Sequence, residues 1–116
     1  MKYLGQEFFI EKIKAKLIAK KFGTPAYCYS YSRLKENIEN LQKNFKSFNP
    51  LFCFAVKSNT NKYLLNEISK FGFGADVVSM GELIRAISAG ISPNKIVFSG
   101  VGKTAREIEY AINKKI

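Results

Sequence analysis

Leu51-Phe52-Cys53-Phe54-Ala55-Val56-Lys57-Ser58-Asn59 is a run of apolar residues closed by a lysine and two small polar residues. A short, continuously apolar run followed by turn formers reads as a parallel strand buried on both faces. A lysine closing such a strand is unusual, because burying its charge is costly. Desolvation there would favour the neutral amine, the form that attacks a carbonyl. The alternative reading is a lysine that simply emerges from the sheet into solvent.

Downstream the pattern repeats. Asn61 to Phe71 places Leu64, Leu65, Ile68 and Phe71 at helical spacing, with Gly72 suited to end the helix. Ala75 to Ser79 is a second short strand. Ser79-Met80-Gly81-Glu82 has capping-box spacing and predicts a helix through Leu83, Ile84, Ala86 and Ile87 that stops at Gly90. Lys95 to Ser99 is a third strand, and Thr104-Ala105-Arg106-Glu107 is a second capping box opening a helix with Ile108, Tyr110, Ala111 and Ile112. Alternating strands and helices predict an α/β fold with a parallel sheet. Three such units cannot close a barrel, which takes roughly 250 residues. The last helix reaches Ile116 without a stop signal, so the expectation is the N-terminal part of a longer protein.

Upstream, Phe8, Phe9, Ile13, Leu17 and Ile18 fit an amphipathic helix from about Glu7 to Lys21, broken by Gly23-Thr24-Pro25. Ala26 to Ser30 is short, aromatic and strand-like. Ser32 to Phe45 predicts another helix, with Leu34, Ile38, Leu41 and Phe45 on one face and Ser32 as N-cap.

Composition removes several function classes. There is no histidine, and the two cysteines, Cys28 and Cys53, are far apart in apolar runs. That excludes a zinc site and His-activated nucleophiles within these residues, and predicts buried, reduced thiols. The net charge of +10 comes from 19 basic and 9 acidic residues, and 16 of the basic ones are lysine. Lysines spread along helices, with few arginines, argue against base readout, and charge alone speaks to solubility and non-specific binding. No apolar run approaches the roughly 20 residues needed to cross a bilayer, and the N-terminus lacks a signal-peptide core, so a cytoplasmic protein is expected.

Two further motifs accompany Lys57. Gly72-Phe73-Gly74-Ala75-Asp76-Val77-Val78-Ser79 sets a carboxylate within an apolar strand next to the one that Lys57 closes. It either holds or polarises an ammonium or Schiff-base group, or bonds a nearby turn. Val77 stands where a dinucleotide fingerprint needs its third glycine. Ser99-Gly100-Val101-Gly102-Lys103-Thr104 ends like a P-loop, but Val97 occupies the first-glycine position. A tight βα turn capped by Thr104 is preferred to a phosphate site.

Four stretches together carry a resemblance. Thr24-Pro25-Ala26-Tyr27, Phe54 to Asn59, Gly74 to Leu83 and Lys95 to Thr104 resemble, in order and spacing, the diaminopimelate decarboxylase family of fold-type III pyridoxal-phosphate enzymes. The resemblance implies the start of an alanine racemase-like (β/α)8 barrel from residue 32 to 116, with residues 1–31 belonging to a β-rich second domain. It implies that Lys57 bonds covalently to pyridoxal phosphate and that Asp76 lies close by in the site. It implies loss of carbon dioxide from the D-centre of meso-diaminopimelate to give L-lysine, by a homodimer with shared sites. The family's ring-stacking histidine, glycine-rich phosphate loop and substrate-binding arginines have no counterpart in these residues, so they are expected to be inactive alone. Decarboxylases of arginine, ornithine or carboxynorspermidine are the nearest alternatives. A non-catalytic basic α/β fragment binding an acidic partner is the alternative of another class.

Overall fold

The computed structural model describes residues 1–116 as two compact units, 1–48 and 49–116. In the first, β1 (Lys2–Leu4), β2 (Glu7–Ile10) and β3 (Ile13–Lys14) form an antiparallel sheet in that order. Helix α1 (Ala15–Phe22) follows directly, and α2 (Tyr31–Asn44) comes after an irregular stretch.

The sheet corrects the expected helix from Glu7 to Lys21, of which only the second half is helical. Phe8, Phe9 and Ile10 are adjacent β-formers. Two-residue loops at Gly5-Gln6 and Glu11-Lys12 fold the chain back, pairing Leu4 with Glu7 and Ile10 with Ile13. Tyr3 then sits opposite Phe8, their ring centroids 4.9 Å apart. Apolar residues at helical spacing cannot be told from two short strands when the loops between them are this tight.

Glu11 takes a positive φ of 56° in its loop, and its carboxylate is anchored. One oxygen accepts from the Ser32 amide and from the Ser30 hydroxyl, each at 2.7 Å. These bonds, the Ser32 amide first, hold its carboxyl below the ordinary range. The same region corrects two expectations. Ala26 to Ser30 joins no ladder, leaving Tyr27 and Tyr29 exposed. Ser30 rather than Ser32 caps α2, accepting from the Arg33 amide at 3.2 Å.

In the second unit β4 (Cys53–Ala55), β5 (Gly74–Val77) and β6 (Ile96–Phe98) form a parallel sheet in that order. Helix α3 (Lys62–Lys70) links β4 to β5, α4 (Met80–Ser88) links β5 to β6, and α5 (Ala105–Asn113) follows β6. Each strand is shorter than expected, because its flanks are taken up by turns such as Val56–Ser58 and Pro93–Lys95. Gly72 and Gly90 end α3 and α4 at positive φ, as expected.

One face of this sheet is covered. Ala75, Val77 and Ile96 pack with Val56, Leu65, Leu83, Ala86 and Ala111 into a core, with Phe54 and Phe98 at its margin. No helix is long and apolar enough to cross a membrane.

Candidate functional site

Strand register decides which side chains share the other face. Ala55 pairs with Asp76, and Asp76 with Val97, while Cys53 pairs with Gly74. In a parallel ladder paired residues point the same way, and their chain neighbours point the opposite way. The row Phe54, Ala75, Ile96 faces the core, so the row Ala55, Asp76, Val97 faces away from it. No helix of this unit covers that side, and Val97 is half exposed. A parallel sheet ordinarily has both faces covered.

Asp76 stands on this bare face at mid-sheet. Its Oδ1 accepts the hydroxyl proton of Ser99, just beyond β6. Ser99 is held in turn by its backbone, its amide donating to the Val77 carbonyl at 3.0 Å. Gly100 behind it lies so close to β5 that an added Cβ would be 2.4 Å from the Val78 carbonyl oxygen. Sequence reasoning singled out Asp76 but not its hydrogen-bond partner Ser99. The signal was available in the register, since Ser99 lies two residues past the Val97 that pairs with Asp76 and so shares its face.

Lys57 lies in the 3-10 turn Val56–Ser58 at the C-terminal end of β4. The turn is built from its own residues. The Ser58 hydroxyl donates to the Ala55 carbonyl at 2.7 Å, and the Asn59 amide to the Val56 carbonyl at 3.0 Å. Asn59 then accepts from the Asn61 amide at 2.9 Å, and Asn61 caps α3 through the amides of Tyr63 and Leu64. The strand ends before the lysine, so Val56 takes the buried position and Lys57 is exposed. Of the two readings of this lysine, the exposed one holds within these residues, which supply no burial for its amine. Its ammonium takes part in none of the ion pairs of the chain.

The thiols are free and half-buried rather than buried. Cys53 donates to the Lys95 carbonyl at 3.7 Å, and burial first, then the Asp76 charge, pushes its thiol up. A thiol held protonated is a poor nucleophile.

The Gly-Lys-Thr turn is structural. Lys103 turns back onto the Gly100 carbonyl and lies over the Phe98 ring, 5.2 Å from its centroid. Thr104 and Glu107 form the expected capping box. Glu107 does more than the motif requires. One oxygen takes the Thr104 amide and hydroxyl, each at 2.9 Å, and the other takes the Met80 amide at the start of α4 at 3.1 Å. These bonds, the Thr104 amide first and then that of Met80, hold its carboxyl below the usual range. The expected box at Ser79 is only half formed. Ser79 accepts from the Glu82 amide, but the Glu82 carboxylate takes the Val78 amide instead.

An accessible amine at the C-terminal end of one parallel strand and a carboxylate on the bare face of the next suit a ligand bearing a carbonyl and an amine. Comparisons with known proteins give the family. Residues 31–116 match the family model described as pyridoxal-dependent decarboxylase, pyridoxal binding domain. A diaminopimelate decarboxylase of Aquifex aeolicus is 44% identical over all of this chain and 27% of its own length. One from Neisseria meningitidis is 46% identical over 90% of this chain and 25% of its own. The crystal structure of diaminopimelate decarboxylase from M. jannaschii in co-complex with L-lysine superposes with a TM-score of 0.91. It is 37% identical, over 95% of this chain and 27% of that one. The chain thus spans about a quarter of the length of these relatives. With three quarters of its residues inside the matched domain, this chain belongs to the pyridoxal-dependent decarboxylases and forms part of their pyridoxal-binding domain.

Proposed function

We propose that the chain supplies the first βα units of the (β/α)8 barrel of a diaminopimelate decarboxylase, with Lys57 and Asp76 as cofactor-binding residues. Residues 32–116 are the barrel portion in this reading, and residues 1–31 belong with a β-rich second domain. The family match beginning at Tyr31 supports that division. The reaction is loss of one carboxylate of meso-diaminopimelate as carbon dioxide, leaving L-lysine. The enzyme is a cytoplasmic homodimer.

The observation that carries the proposal is the exposed amine of Lys57 in the turn that follows β4, two residues past the Ala55 that pairs with Asp76. A primary amine without an internal partner fits the aldehyde of pyridoxal phosphate, and a carboxylate nearby fits the positive charge that such a linkage bears. The turn after β6 offers no phosphate cradle, because its lysine is spent on Gly100 and Phe98. The donor set therefore fits the aldehyde end of the cofactor. Bound pyridoxal phosphate supplies a sink for the electron pair released at the substrate carbon. Lys57 would hold the aldehyde end of the cofactor through its amine. Asp76 stabilises positive charge beside it. The bare face of the sheet supplies one wall of the site.

The test is borohydride reduction with pyridoxal phosphate, on the protein expressed from its whole gene. One adduct per chain is expected on Lys57, and it disappears in Lys57→Ala. Labelling scattered over many lysines, or unchanged in Lys57→Ala, refutes the assignment. Carbon dioxide release from meso-diaminopimelate, and not from arginine, ornithine or carboxynorspermidine, checks the substrate.

A further inference from the structure

We propose that Ser99 is a positioning residue for Asp76, fixing the carboxylate so that Oδ2 is the oxygen offered to a cationic nitrogen in the site. The inference rests on the reading that Asp76 serves the cofactor, and it extends that reading to a residue just past the end of the next strand. Three observations support it. The Ser99 hydroxyl donates to Asp76 Oδ1, which occupies one carboxylate oxygen and leaves the other without a partner in the chain. The Ser99 backbone is tied to β5 through Val77. Gly100 is wedged against the Val78 carbonyl, where a Cβ would be 2.4 Å away, so the hydroxyl cannot drift with its loop.

The geometry divides the labour between strands. β5 supplies the charge, β6 supplies its orientation, and the turn after β4 supplies the amine. A carboxylate on an open face would otherwise rotate freely about its side-chain torsions and spend its charge on water. A charge-assisted hydrogen bond removes that freedom before any ligand arrives. Ser99 itself need touch neither cofactor nor substrate.

The experiment is a double-mutant cycle on the protein expressed from its whole gene. Its readout is the pyridoxal phosphate concentration giving half-maximal borohydride-fixed adduct on Lys57, measured by peptide mass spectrometry. Ser99→Ala is expected to raise that concentration about tenfold, the usual worth of one hydrogen bond to a charged group. Ser99→Thr, which keeps the hydroxyl, is expected to retain the wild-type value. In the Asp76→Asn background Ser99→Ala is expected to add nothing. Ser99→Thr and Ser99→Val have nearly the same shape, so that pair isolates the hydroxyl if Ser99→Ala fails to fold. If Ser99→Val matches Ser99→Thr, or if Ser99→Ala keeps its full effect beside Asp76→Asn, the positioning role is overturned while the role of Asp76 stands. If Asp76→Asn itself leaves adduct formation unchanged, the underlying reading of Asp76 fails.

Discussion

Gly74→Ala adds a single methyl group at the start of β5, and the structure leaves no space for it. The new Cβ would lie 1.9 Å from the Lys95 carbonyl oxygen, 2.9 Å from its carbon and 3.0 Å from Cys53 Sγ. A carbon and a carbonyl oxygen settle at roughly 3.3 Å, so β5 and the start of β6 must part by about 1.4 Å. Backbone hydrogen bonds do not survive such a displacement. The β5–β6 register holds three residue pairs, and Gly74 also donates to the Phe52 carbonyl at 2.7 Å. Losing two or three ladder bonds at about 1 kcal/mol each, less about 0.4–1 kcal/mol gained because alanine restricts the unfolded chain, leaves a destabilisation of about 2 kcal/mol. Gly102→Ala is the internal control, since its Cβ would meet nothing within 4 Å and its φ is not in the left-handed region. Urea unfolding followed by circular dichroism measures both variants. A Gly74→Ala variant as stable as Gly102→Ala would refute the argument that the backbone of β6 is pressed against Gly74.

Two further outcomes follow from the packing and the charges. Leu83→Ala, at a fully buried position in the core over the sheet, is expected to cost about 3–4 kcal/mol in the same unfolding assay, and a cost below 1 kcal/mol would mean the helices do not pack as described. Glu107 is held below its ordinary value of 4.5, so its contribution to stability is complete above that value and is lost as pH falls through its lower, folded-state value. The stability gap between wild type and Glu107→Gln should therefore close on acidification, and a gap constant from neutral to acid pH contradicts the role given to its hydrogen bonds.

The parallel strands and their helices were legible because each unit carries both halves of its signal, an apolar run and a capped amphipathic helix. Thr104 with Glu107, Gly72 and Gly90 all fell where local chemistry put them, since caps depend on neighbours close in sequence. The N-terminal sheet was misread because Phe8, Phe9, Ile13 and Leu17 satisfy a helical period while belonging to two strands and a helix. Lys57 was legible as a strand-end lysine, but the choice between a buried and an exposed amine was not, because the strand stops at Ala55 and burial depends on residues distant in sequence. Ser99 and the second bond of Glu107 span 23 and 27 residues, distances at which only strand register can bring groups together.

The divided carboxylate of Glu107 has a mechanical meaning. Its two oxygens terminate the loops that follow β5 and β6, so a single carboxylate joins neighbouring segments through hydrogen bonds to neutral groups. The start of α4 cannot part from α5 without stripping the Met80 amide of its partner. The segments that follow β5 and β6, on the side of the sheet where Ser99 meets Asp76, are therefore tied to each other as well as to their own strands.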